Sequence, residues 1–364
     1  MTASRFMKFA LDDAIGARGR TSPNPWVGAV AVQGSQIFGR GATEPPGGRH
    51  AEIVALDRFD ARGMDVYTTL EPCAPFPGKR TPSCAETLVA AGVRNVHVAM
   101  LDPHPGVSGA GVAILRAAGI EVEVGDGAEE ARTLLRPYLK HRQLGIPYVI
   151  AKFAASLDGK IATASGDSKW ITGEAARDLG HHQRAWVDAI MVGSETVLRD
   201  DPALTARPGG KLATHQPVRV VLDSRGRVSA SARVFRESGK TIVATTDDSP
   251  LDWRERIVAS GARLVMCEAG ERGVRMEQLM PVLAASGIMS VWCEGGATLL
   301  GSLFDGGYVD EVWAFIAPVI LGGTGLGAVG GEGARIMAEA WRLRESSIEA
   351  VGADVLMRGF LSEI

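Results

Sequence analysis

The feature that most constrains the fold of this chain is an alternation of short apolar runs with helical stretches along its first 125 residues. Val27–Val32 and Gln36–Gly41 predict a hairpin, because two apolar runs flank a short polar turn. Strands that alternate with helices favour a mostly parallel sheet covered on both faces, with functional loops at the carboxyl ends of its strands. The other predicted elements here are helices Ala51–Phe59, Ala85–Ala91 and Gly111–Ala118 and strands Val66–Leu70, Val96–Leu101 and Glu121–Val124.

A second alternation begins after a charged helical stretch, Glu129–Arg142, which is followed by Gly145 and Pro147. Glycine and proline interrupt regular structure, so we expect a domain boundary there and two α/β domains, residues 1–145 and 146–364. A chain of 364 residues also exceeds one ordinary hydrophobic core. The predicted elements of the second domain are helices Glu174–Ala185 and Ala297–Phe304 and strands Tyr148–Ala155, Ala189–Gly193, Val218–Asp223, Thr241–Thr245, Ala262–Met266, Ser290–Glu294 and Glu311–Ile320.

Composition and charge exclude several classes of protein. The chain has 46% hydrophobic and 22% charged residues, as globular proteins do, and its net charge of −3 gives no basic excess for long nucleic acid. The first residues predict an amphipathic helix, with Phe6, Phe9, Ala10 and Ile15 as its apolar positions, and not a signal peptide. No apolar run is long enough to cross a bilayer, and the four cysteines are too few for a disulfide scaffold. We therefore expect a cytoplasmic protein with neither a membrane nor a nucleic acid as its partner.

Three short motifs of the first domain supply ligands for a metal ion. His50-Ala51-Glu52 begins a helix, Glu71-Pro72-Cys73 follows a strand, and Cys84 begins another helix. One imidazole and two thiolates suit Zn²⁺ and leave a fourth position for water, whose pKa the metal lowers towards 7. Glu52 is then placed to carry a proton from that water to departing ammonia. His-x-Glu followed by Pro-Cys and a second Cys is the pattern of zinc-dependent base deaminases.

Other interpretations of these residues remain open from the sequence. Cys73 and Cys84 also fit a structural zinc clip with another ligand, or a pair of buried thiols. If they are metal ligands, we expect both at helix amino ends, where the helix dipole favours the thiolate.

Two loops of the first domain are candidates for contact with a ligand. The loop between the cysteines, residues 74–83, carries Lys79 and Arg80, which would bind a phosphate or simply face solvent. Asn24 lies between two prolines and suits hydrogen bonding to a base edge, although turn chemistry alone also explains it.

The second domain carries no comparable acid–base cluster in its sequence and suits the binding of a cofactor. The segment Ser290–Leu300 predicts a strand, a Gly-Gly turn and a helix, an arrangement that would bring backbone N–H groups to a pyrophosphate. A turn that merely connects the strand to the helix also explains the two glycines. Lys152 lies in an apolar strand and needs a partner, for which a substrate phosphate is one candidate. The glycines of Gly325–Gly330 have the spacing of a dinucleotide-binding fingerprint, but no strand–helix–strand unit surrounds them, and we expect a glycine-rich loop there. Cys267 and Cys293 are expected to be buried thiols.

Together, the motifs of both domains resemble the family of bifunctional riboflavin-biosynthesis deaminase–reductases. In the first domain the resemblance rests on Pro23-Asn24-Pro25, His50-Ala51-Glu52, Leu70–Cys73 and Arg80–Cys84. In the second domain it rests on Ala155–Lys160, Gly166–Thr172, Asp200–Thr205 and Glu294-Gly295-Gly296. The motifs occur in the family's order and cover nearly the whole chain.

The resemblance implies a cytidine-deaminase-like three-layer domain followed by a dihydrofolate-reductase-like α/β domain. The first would use Zn²⁺, held by His50, Cys73 and Cys84, with Glu52 as its catalytic residue. Its zinc-activated hydroxide would deaminate a diaminopyrimidinone ribosylamino 5′-phosphate to the aminouracil. The second would use NADPH to reduce the ribose to a ribityl chain. We also expect a homo-oligomer, a dimer or a tetramer.

The resemblance further implies two sets of binding residues, and the chemistry of single side chains agrees with parts of both. Arginine suits a phosphate because its planar fork donates two parallel hydrogen bonds, although Arg184 also fits a solvated helix face and Trp170 a core position. Arg225 is a candidate for contact with the 2′-phosphate of the cofactor. The substrate set that the resemblance implies is Ser168, Arg184, Leu204, Arg207 and Glu294, and the side-chain chemistry described above adds Asn24 and Lys152 as candidates. The NADPH set is Ala154, Trp170, Thr196, Asp200, Ser224, Gly296, Ala297, Thr298, Leu299, Leu300, Gly301 and Ser302.

The sequence departs from the family in the loop after the first cysteine. The family carries Ser-His-aromatic-Gly there, whereas this chain has Ala74-Pro75-Phe76-Pro77-Gly78 and a longer spacing between the cysteines. The departure leaves open a deaminase of a related pyrimidine whose C-terminal half is a non-catalytic binding module, and NADPH binding separates that alternative from a reductase. A nucleic-acid-editing deaminase is disfavoured because the chain has no basic excess.

Overall fold

The computed structural model describes residues 2–75, 83–104 and 107–362, and the chain divides into two compact units, Met1–Gly145 and Ile146–Glu363. The division lies where a helix ends at Gly145. That residue has a φ of 67°, a left-handed conformation that glycine adopts at little cost, and Pro147 follows two residues later.

The first unit has three layers, with one sheet between two layers of helices. The sheet order is β2-β1-β3-β4-β5; β1 pairs antiparallel with both β2 and β3, whereas β3, β4 and β5 run parallel. Helices α1 and α5 lie together on one face, and α2, α3 and α4 lie on the other. The elements are α1 Arg5–Ala17, β1 Gly28–Gln33, β2 Gln36–Ala42, α2 Ala51–Leu56, β3 Asp65–Thr68, α3 Cys84–Ala91, β4 Asn95–Val98, α4 Ala110–Ala117, β5 Glu121–Val124 and α5 Ala128–Leu144.

Each face of this sheet has its own hydrophobic core, because alternate residues of a strand point to opposite faces. Val30 and Val32 pack against α1 and α5, whereas Ala31 packs with the residues of α3 and α4. The expected hairpin and three-layer arrangement are confirmed. The expectation of a mostly parallel sheet is met in part for this unit: β2, β3, β4 and β5 run in one direction, but the hairpin reverses the chain and leaves β1 antiparallel to both of its neighbours.

The amphipathic helix at the start of the chain is present, and its buried face agrees in part with the predicted one. Ala10 is buried and Phe6 and Phe9 pack partly buried against the same core, as expected, whereas Ile15 is exposed. The buried face also includes Ala14, which was not predicted, and these small alanines let the helix approach the sheet closely. A methyl group added at Gly28 of β1 would lie only 1.8 Å from the carbonyl oxygen of Ala10.

The second unit contains a nine-stranded sheet with the order β11-β10-β9-β8-β14-β6-β15-β18-β17. The strands from β11 to β15 run parallel, and β18 and β17 add an antiparallel hairpin at one edge. The helices are α6 Glu174–Trp186, α7 Ser194–Asp200, α8 Arg233–Arg236, α9 Leu251–Ala259, α10 Met276–Ala285 and α11 Ala297–Asp305. The strands are β6 Tyr148–Ser156, β7 Lys160–Ala162, β8 Ala189–Gly193, β9 Val218–Leu222, β10 Thr241–Thr245, β11 Arg263–Met266, β12 Ala269–Gly270, β13 Gly273–Val274, β14 Ser290–Cys293, β15 Val309–Ala317, β16 Leu326–Gly327, β17 Arg344–Val351 and β18 Asp354–Phe360.

Every strand and both helices that the sequence predicted in this unit are present, with ends shifted by up to three residues. Helices α7, α9 and α10 and the terminal hairpin were not predicted. The glycine-rich segment Gly325–Gly330 is a loop apart from the two residues of β16, as expected. It lies on α11, where the backbone of Gly330 approaches Gly301 so closely that a methyl group at Gly301 would lie 2.4 Å from it. Among the described residues, no helix is both long and apolar enough to cross a membrane.

Candidate functional site

Three element ends meet in the first unit around a group of metal-binding side chains. His50 is the residue before α2, Cys84 is the first residue of α3, and Cys73 lies in the loop that follows β3. Ser83 caps α3 by accepting a hydrogen bond from the N–H of Glu86, the pattern of a helix start with a favourable cap. These local signals fix where each helix begins and therefore where its first side chains lie.

The geometry of this cluster fits a tetrahedral metal ion. Nδ1 of His50 lies 3.5 Å from Sγ of Cys73 and 3.3 Å from Sγ of Cys84, and the three ligand atoms are all within 4.8 Å of one another. Sulfur and imidazole nitrogen at such separations surround a Zn²⁺ ion at bond lengths of about 2.0–2.3 Å. Three protein ligands, the number found among the described residues, would leave one position open, which is typical of a catalytic site and not of a closed structural clip.

The structure corrects the expected position of one cysteine. Cys73 does not begin a helix, but its sulfur accepts a hydrogen bond from the N–H of Cys84, 3.4 Å away, so the amino end of α3 reaches it through space. Hydrogen bonding from Cys84 lowers the pKa of Cys73 well below its usual value, and His50 acts in the same direction. The thiolate that a metal requires is therefore favoured.

Glu52 is buried beside this cluster, with 3% of its surface exposed. Burial raises the pKa of Glu52 to about 7, and the charge of Cys73 adds to the increase. A carboxyl group with a pKa near neutral both accepts and donates protons readily, as a general acid–base requires.

The two ligand-contact candidates of the first unit have different outcomes. Lys79 and Arg80, with the rest of residues 76–82, lie outside the described residues. Asn24 is half-buried in a turn, where its N–H donates to the carbonyl of Thr21 and its own carbonyl accepts from the Thr21 hydroxyl. These backbone contacts account for the turn, and its side chain stays a predicted contact.

In the second unit, the carboxyl ends of the parallel strands form an edge suited to a dinucleotide. Strand β14 pairs with β8, so the turns after them, at Gly193 and at Gly295-Gly296, are neighbours, and the N–H of Gly193 donates to the carbonyl of Gly295. Helix α11 begins after Gly296 without a side-chain cap, and a methyl group at Gly296 would lie 3.7 Å from Oγ1 of Thr196. Uncapped backbone N–H groups with small neighbours fit a pyrophosphate, and therefore NADPH.

Next to this edge lies a cluster of charges on Lys152, Arg184 and Glu294. Arg184 donates from Nε and Nη2 to the two oxygens of Glu294, at 2.5 and 2.8 Å, and from Nη1 to the carbonyl of Thr205. Nζ of Lys152 lies 3.9 Å from Oε2 of Glu294, and Nε1 of Trp292 donates to Oε1. Arg184 is therefore not a solvated helix residue: its fork holds a carboxylate.

The charges of this cluster shift one another's protonation. Burial would raise the pKa of Glu294, but Arg184 and Lys152 together lower it to about 2. Burial lowers the pKa of Lys152, and Glu294 opposes that effect. The three groups thus form one electrostatically coupled cluster, in which the glutamate is ionised near neutral pH.

Two other members of the predicted substrate set, Leu204 and Arg207, lie beside Thr205 in the chain, whereas Ser168 lies in a separate loop. Nδ1 of His181 lies 3.2 Å from the carbonyl of Thr205 and 3.3 Å from the N–H of Arg207, and Nε of Arg207 donates to the Thr205 hydroxyl. Leu204 is buried with a φ of 49°, an unusual conformation for leucine. Ser168 is half-buried in a loop between β7 and α6.

The predicted NADPH set divides into residues that face outward and residues that lie in the core. Trp170 is 73% exposed, with the Arg177 guanidinium 4.6 Å from its ring, so the alternative of a core tryptophan is wrong. Leu299 and Leu300 pack in the hydrophobic core, so any contact with a cofactor runs through their backbone. Ala154, Thr196, Ser224, Gly296 and Ser302 are half-buried, Asp200 and Thr298 are exposed, and Ala297 and Gly301 are buried.

Several residues that shape these sites were missed from the sequence. Ser83 donates to the carbonyl of Cys73, Glu71 accepts from the N–H of Gly109, and Trp292 and His181 contact Glu294 and Thr205 respectively. The one available signal was the Ser83-x-x-Glu86 pattern, which marks a capped helix start immediately before Cys84. The other contacts join residues far apart in the chain or pair two side chains at the end of a strand, and spacing alone does not reveal them.

Comparison with protein families gives a match for each unit. The model of the cytidine and deoxycytidylate deaminase zinc-binding region matches residues 1–100, and that of the RibD C-terminal domain matches residues 147–357. The riboflavin biosynthesis protein RibD of Bacillus amyloliquefaciens is 40% identical over 354 residues, covering 96% of this chain and 94% of that protein. RibD of Escherichia coli (strain K12) is 38% identical over 366 residues, covering 97% of each.

Solved structures are similar over the same length. Form 1 of Acinetobacter baumannii RibD has a TM-score of 0.88 and 36% identity, with 98% of both chains covered. A diaminohydroxyphosphoribosylaminopyrimidine deaminase/5-amino-6-(5-phosphoribosylamino)uracil reductase from Thermotoga maritima has a TM-score of 0.85 and 32% identity, again with 98% of both chains covered.

Proposed function

This chain belongs to the RibD family of bifunctional riboflavin-biosynthesis enzymes, and on that premise we propose how its residues divide the two reactions. It is a zinc-dependent deaminase and an NADPH-dependent reductase, and its fold classes are the predicted cytidine-deaminase-like and dihydrofolate-reductase-like ones. Residues 1–145 would carry the deamination and residues 146–364 the reduction. The substrate would be the diaminopyrimidinone ribosylamino 5′-phosphate named for the Thermotoga relative, and the intermediate its aminouracil.

For the deamination, His50, Cys73 and Cys84 would hold the zinc ion and Glu52 would move the protons. Zinc in such a site lowers the pKa of a bound water and so supplies a nucleophile at neutral pH. Glu52 would accept a proton at a carboxylate oxygen and return it to the amino group that departs as ammonia. Its burial and raised pKa support this role, because the carboxyl group exchanges a proton near neutral pH.

For the reduction, the chain's task is to bind and orient, since NADPH supplies the hydride. The start of α11, with Thr196, Ser224 and Asp200 near the same edge, would hold the cofactor. Arg184 and Lys152, both facing Glu294, would present positive charge to the sugar phosphate, and Arg207 would add a second guanidinium. The bidentate bond between Arg184 and Glu294 supports a positioning function, because it holds both groups in one orientation.

We also propose that the protein is cytoplasmic and that it forms a homo-oligomer. A cytoplasmic location is supported by four free cysteines, of which two are needed as thiolates for the metal. A homo-oligomer is supported by the terminal hairpin, where β17 is largely exposed and Ile348, Val355 and Met357 present apolar side chains to solvent.

The observation that carries the proposal is one chain with both a three-ligand metal cluster beside a buried glutamate and a cation–carboxylate cluster beside an uncapped helix start. The test is a coupled assay with purified protein, Zn²⁺, NADPH and the diaminopyrimidinone ribosylamino phosphate. Ammonia release followed by NADPH oxidation is the expected result. Ammonia release without NADPH oxidation would make the second unit a binding module. The absence of both signals would indicate that the substrate is a different pyrimidine.

A further inference from the structure

Glu71, two residues before the metal ligand Cys73, is a buried carboxylate of the first unit that accepts three backbone hydrogen bonds and that the proposed reaction does not use. Its Oε2 accepts from the N–H of Asp102 at 3.2 Å and of Gly109 at 2.9 Å, and its Oε1 accepts from the N–H of Val112 at 3.1 Å. The side chain is buried, with 3% of the residue exposed. A buried carboxylate with three backbone donors is held firmly in one position.

These bonds make Glu71 the cap of a helix far from it in the chain. Helix α4 begins after Gly109, which has no side chain to cap it. Gly109 and Val112 are the positions whose N–H groups a capping side chain would satisfy, and Glu71 satisfies both. Its negative charge also lies at the positive end of the helix dipole.

Pro72, which lies between Glu71 and Cys73, packs against the first turn of α4. A methyl group at Gly111 would lie 1.8 Å from the carbonyl oxygen of Pro72, so only glycine allows this approach. Beyond it, the carbonyl of Cys73 accepts from the Ser83 hydroxyl at 2.9 Å and from the N–H of Ala85 at 3.2 Å. The backbone of Cys73 is therefore fixed on one side by the start of α4 and on the other by the start of α3.

We propose that Glu71 is a positioning residue for the metal centre: by capping α4 it fixes the backbone from which Cys73 presents its thiolate. The proposal rests on the proposed zinc site. It predicts that loss of the Glu71 bonds moves the Cys73 sulfur relative to His50 and Cys84 and weakens the metal site specifically. Loss of an outer partner that orients a ligand typically lowers metal affinity by about 10–100-fold.

The test compares Glu71→Ala and Glu71→Gln with Leu115→Ala in the full-length protein. Leu115 is a fully buried core residue of the same helix, so its truncation weakens the packing of α4 without touching the cap. Glutamine keeps one acceptor oxygen but turns an NH₂ group towards backbone donors, so its effect should be intermediate. The readouts are Zn²⁺ affinity by competition with a chromophoric chelator and the thiolate-to-metal charge-transfer absorption of the Co²⁺-substituted protein.

We expect Zn²⁺ affinity to fall by about 10–100-fold in Glu71→Ala, and less in Glu71→Gln, with a shifted Co²⁺ spectrum, while Leu115→Ala keeps both the affinity and the spectrum. Equal losses in all three variants, or no loss in either Glu71 variant, would overturn the positioning role. If Glu71→Ala is insoluble, the comparison of Glu71→Gln with Leu115→Ala tests the proposal. Failure of the wild-type protein itself to bind Zn²⁺ or Co²⁺ would instead overturn the metal site, so the two failures are distinguishable.

Discussion

Glu52 in the first unit and Glu294 in the second lie in sites of opposite electrostatic character. Burial and the charge of Cys73 raise the pKa of Glu52 to about 7, whereas Arg184 and Lys152 lower that of Glu294 to about 2 despite its burial. One carboxyl group exchanges its proton near neutral pH, and the other stays ionised. The same side chain is thereby suited to proton transfer in one unit and to holding cations in the other.

The difference agrees with what each reaction demands of the protein. Hydrolytic deamination, which we assign to the first unit, needs protons moved at the reacting atoms, and this unit concentrates titratable groups within a few ångströms of one another. Hydride transfer, which we assign to the second unit, is the chemistry of the cofactor, and this unit would supply backbone donors and fixed charges. Variants that change one glutamate at a time test this contrast.

The largest effect is expected from Glu52→Gln. Without a carboxylate to carry the proton, deamination should fall by about 10²–10⁴-fold, while NADPH-dependent reduction of the already deaminated compound continues unchanged. Ammonia release and NADPH oxidation measured separately give the two rates. Glu86→Gln, an exposed glutamate in the first turn of α3, is the matched control and should leave both rates intact. Normal deamination by Glu52→Gln would refute the proton-transfer role.

Glu294→Gln should have the reverse pattern, with reduction impaired and deamination retained. It leaves Arg184 and Lys152 without their counter-charge, which should cost about 3 kcal/mol of stability in the second unit, the low end for a broken buried pair because the site is only half-buried. Urea denaturation at pH 7 measures the loss. Glu311→Gln, another glutamate that accepts a bond from a tryptophan N–H, is the control and should lose less.

The stability contribution of the Glu294 ion pair should change with pH in a definite direction in the acid range. Because the pKa of Glu294 in the folded protein, about 2, lies below its ordinary value of 4.5, its stabilising contribution is complete above pH 4.5. The contribution is lost as the pH falls from 4.5 towards 2. The stability difference between the wild-type protein and Glu294→Gln should therefore shrink over that range, and a difference that stays constant would contradict the ion pair.

The two sites also differ in how far the sequence reveals them. The metal cluster was predicted because each ligand lies at the start of a helix or just after a strand, and local patterns mark such places: His50 before an apolar helix, Cys84 after a capping serine. By contrast, Arg184 and Glu294 are 110 residues apart, and only the order of the strands brings them together. That the arginine holds a carboxylate was not predictable from spacing.

The errors of the sequence interpretation have physical causes too. Cys73 was expected at a helix start, but its sulfur reaches the N–H of Cys84 through space, and no local pattern encodes that contact. The bonds of Glu71 to the start of α4 span up to 41 residues. On α1 the apolar face was misplaced at Ile15, which is exposed, and Ala14 was overlooked, because the interpretation favoured large side chains whereas small alanines let the helix approach the sheet.

A smaller effect is expected at the cofactor edge from Arg225→Ala. Arg225 is exposed just after the end of β9, where it would meet the 2′-phosphate of NADPH. Loss of one charge-assisted contact of about 1.5 kcal/mol should lower the preference for NADPH over NADH by about tenfold. Arg227→Ala is the control, since that guanidinium donates to Glu195 and Ser194 and should not affect the preference. An unchanged NADPH/NADH ratio in Arg225→Ala would remove the contact.

The smallest effect, and the one that most sharpens the contrast, concerns Asp102. Burial raises its pKa above the ordinary 3.8, although bonds from the His104 N–H and the Tyr138 hydroxyl oppose the shift. Because the folded pKa is raised, the ionised carboxylate costs stability as the pH rises from 3.8 through the folded value. An asparagine side chain in its place would carry no charge and would keep an acceptor oxygen for both donors.

Asp102→Asn should therefore be neutral or slightly stabilising at pH 7.5, by less than about 1 kcal/mol, and the difference from the wild-type protein should vanish near pH 3. Urea denaturation of the full-length protein at both pH values, followed by a probe in the first unit, measures it. Where a carboxylate is paired with cations, as at Glu294, removal of its charge must instead destabilise the protein. If Asp102→Asn were clearly destabilising at pH 7.5 and harmless at pH 3, Asp102 would belong with Glu294 as a carboxylate held by positive charge, and the contrast between the two units would no longer follow from their buried acids.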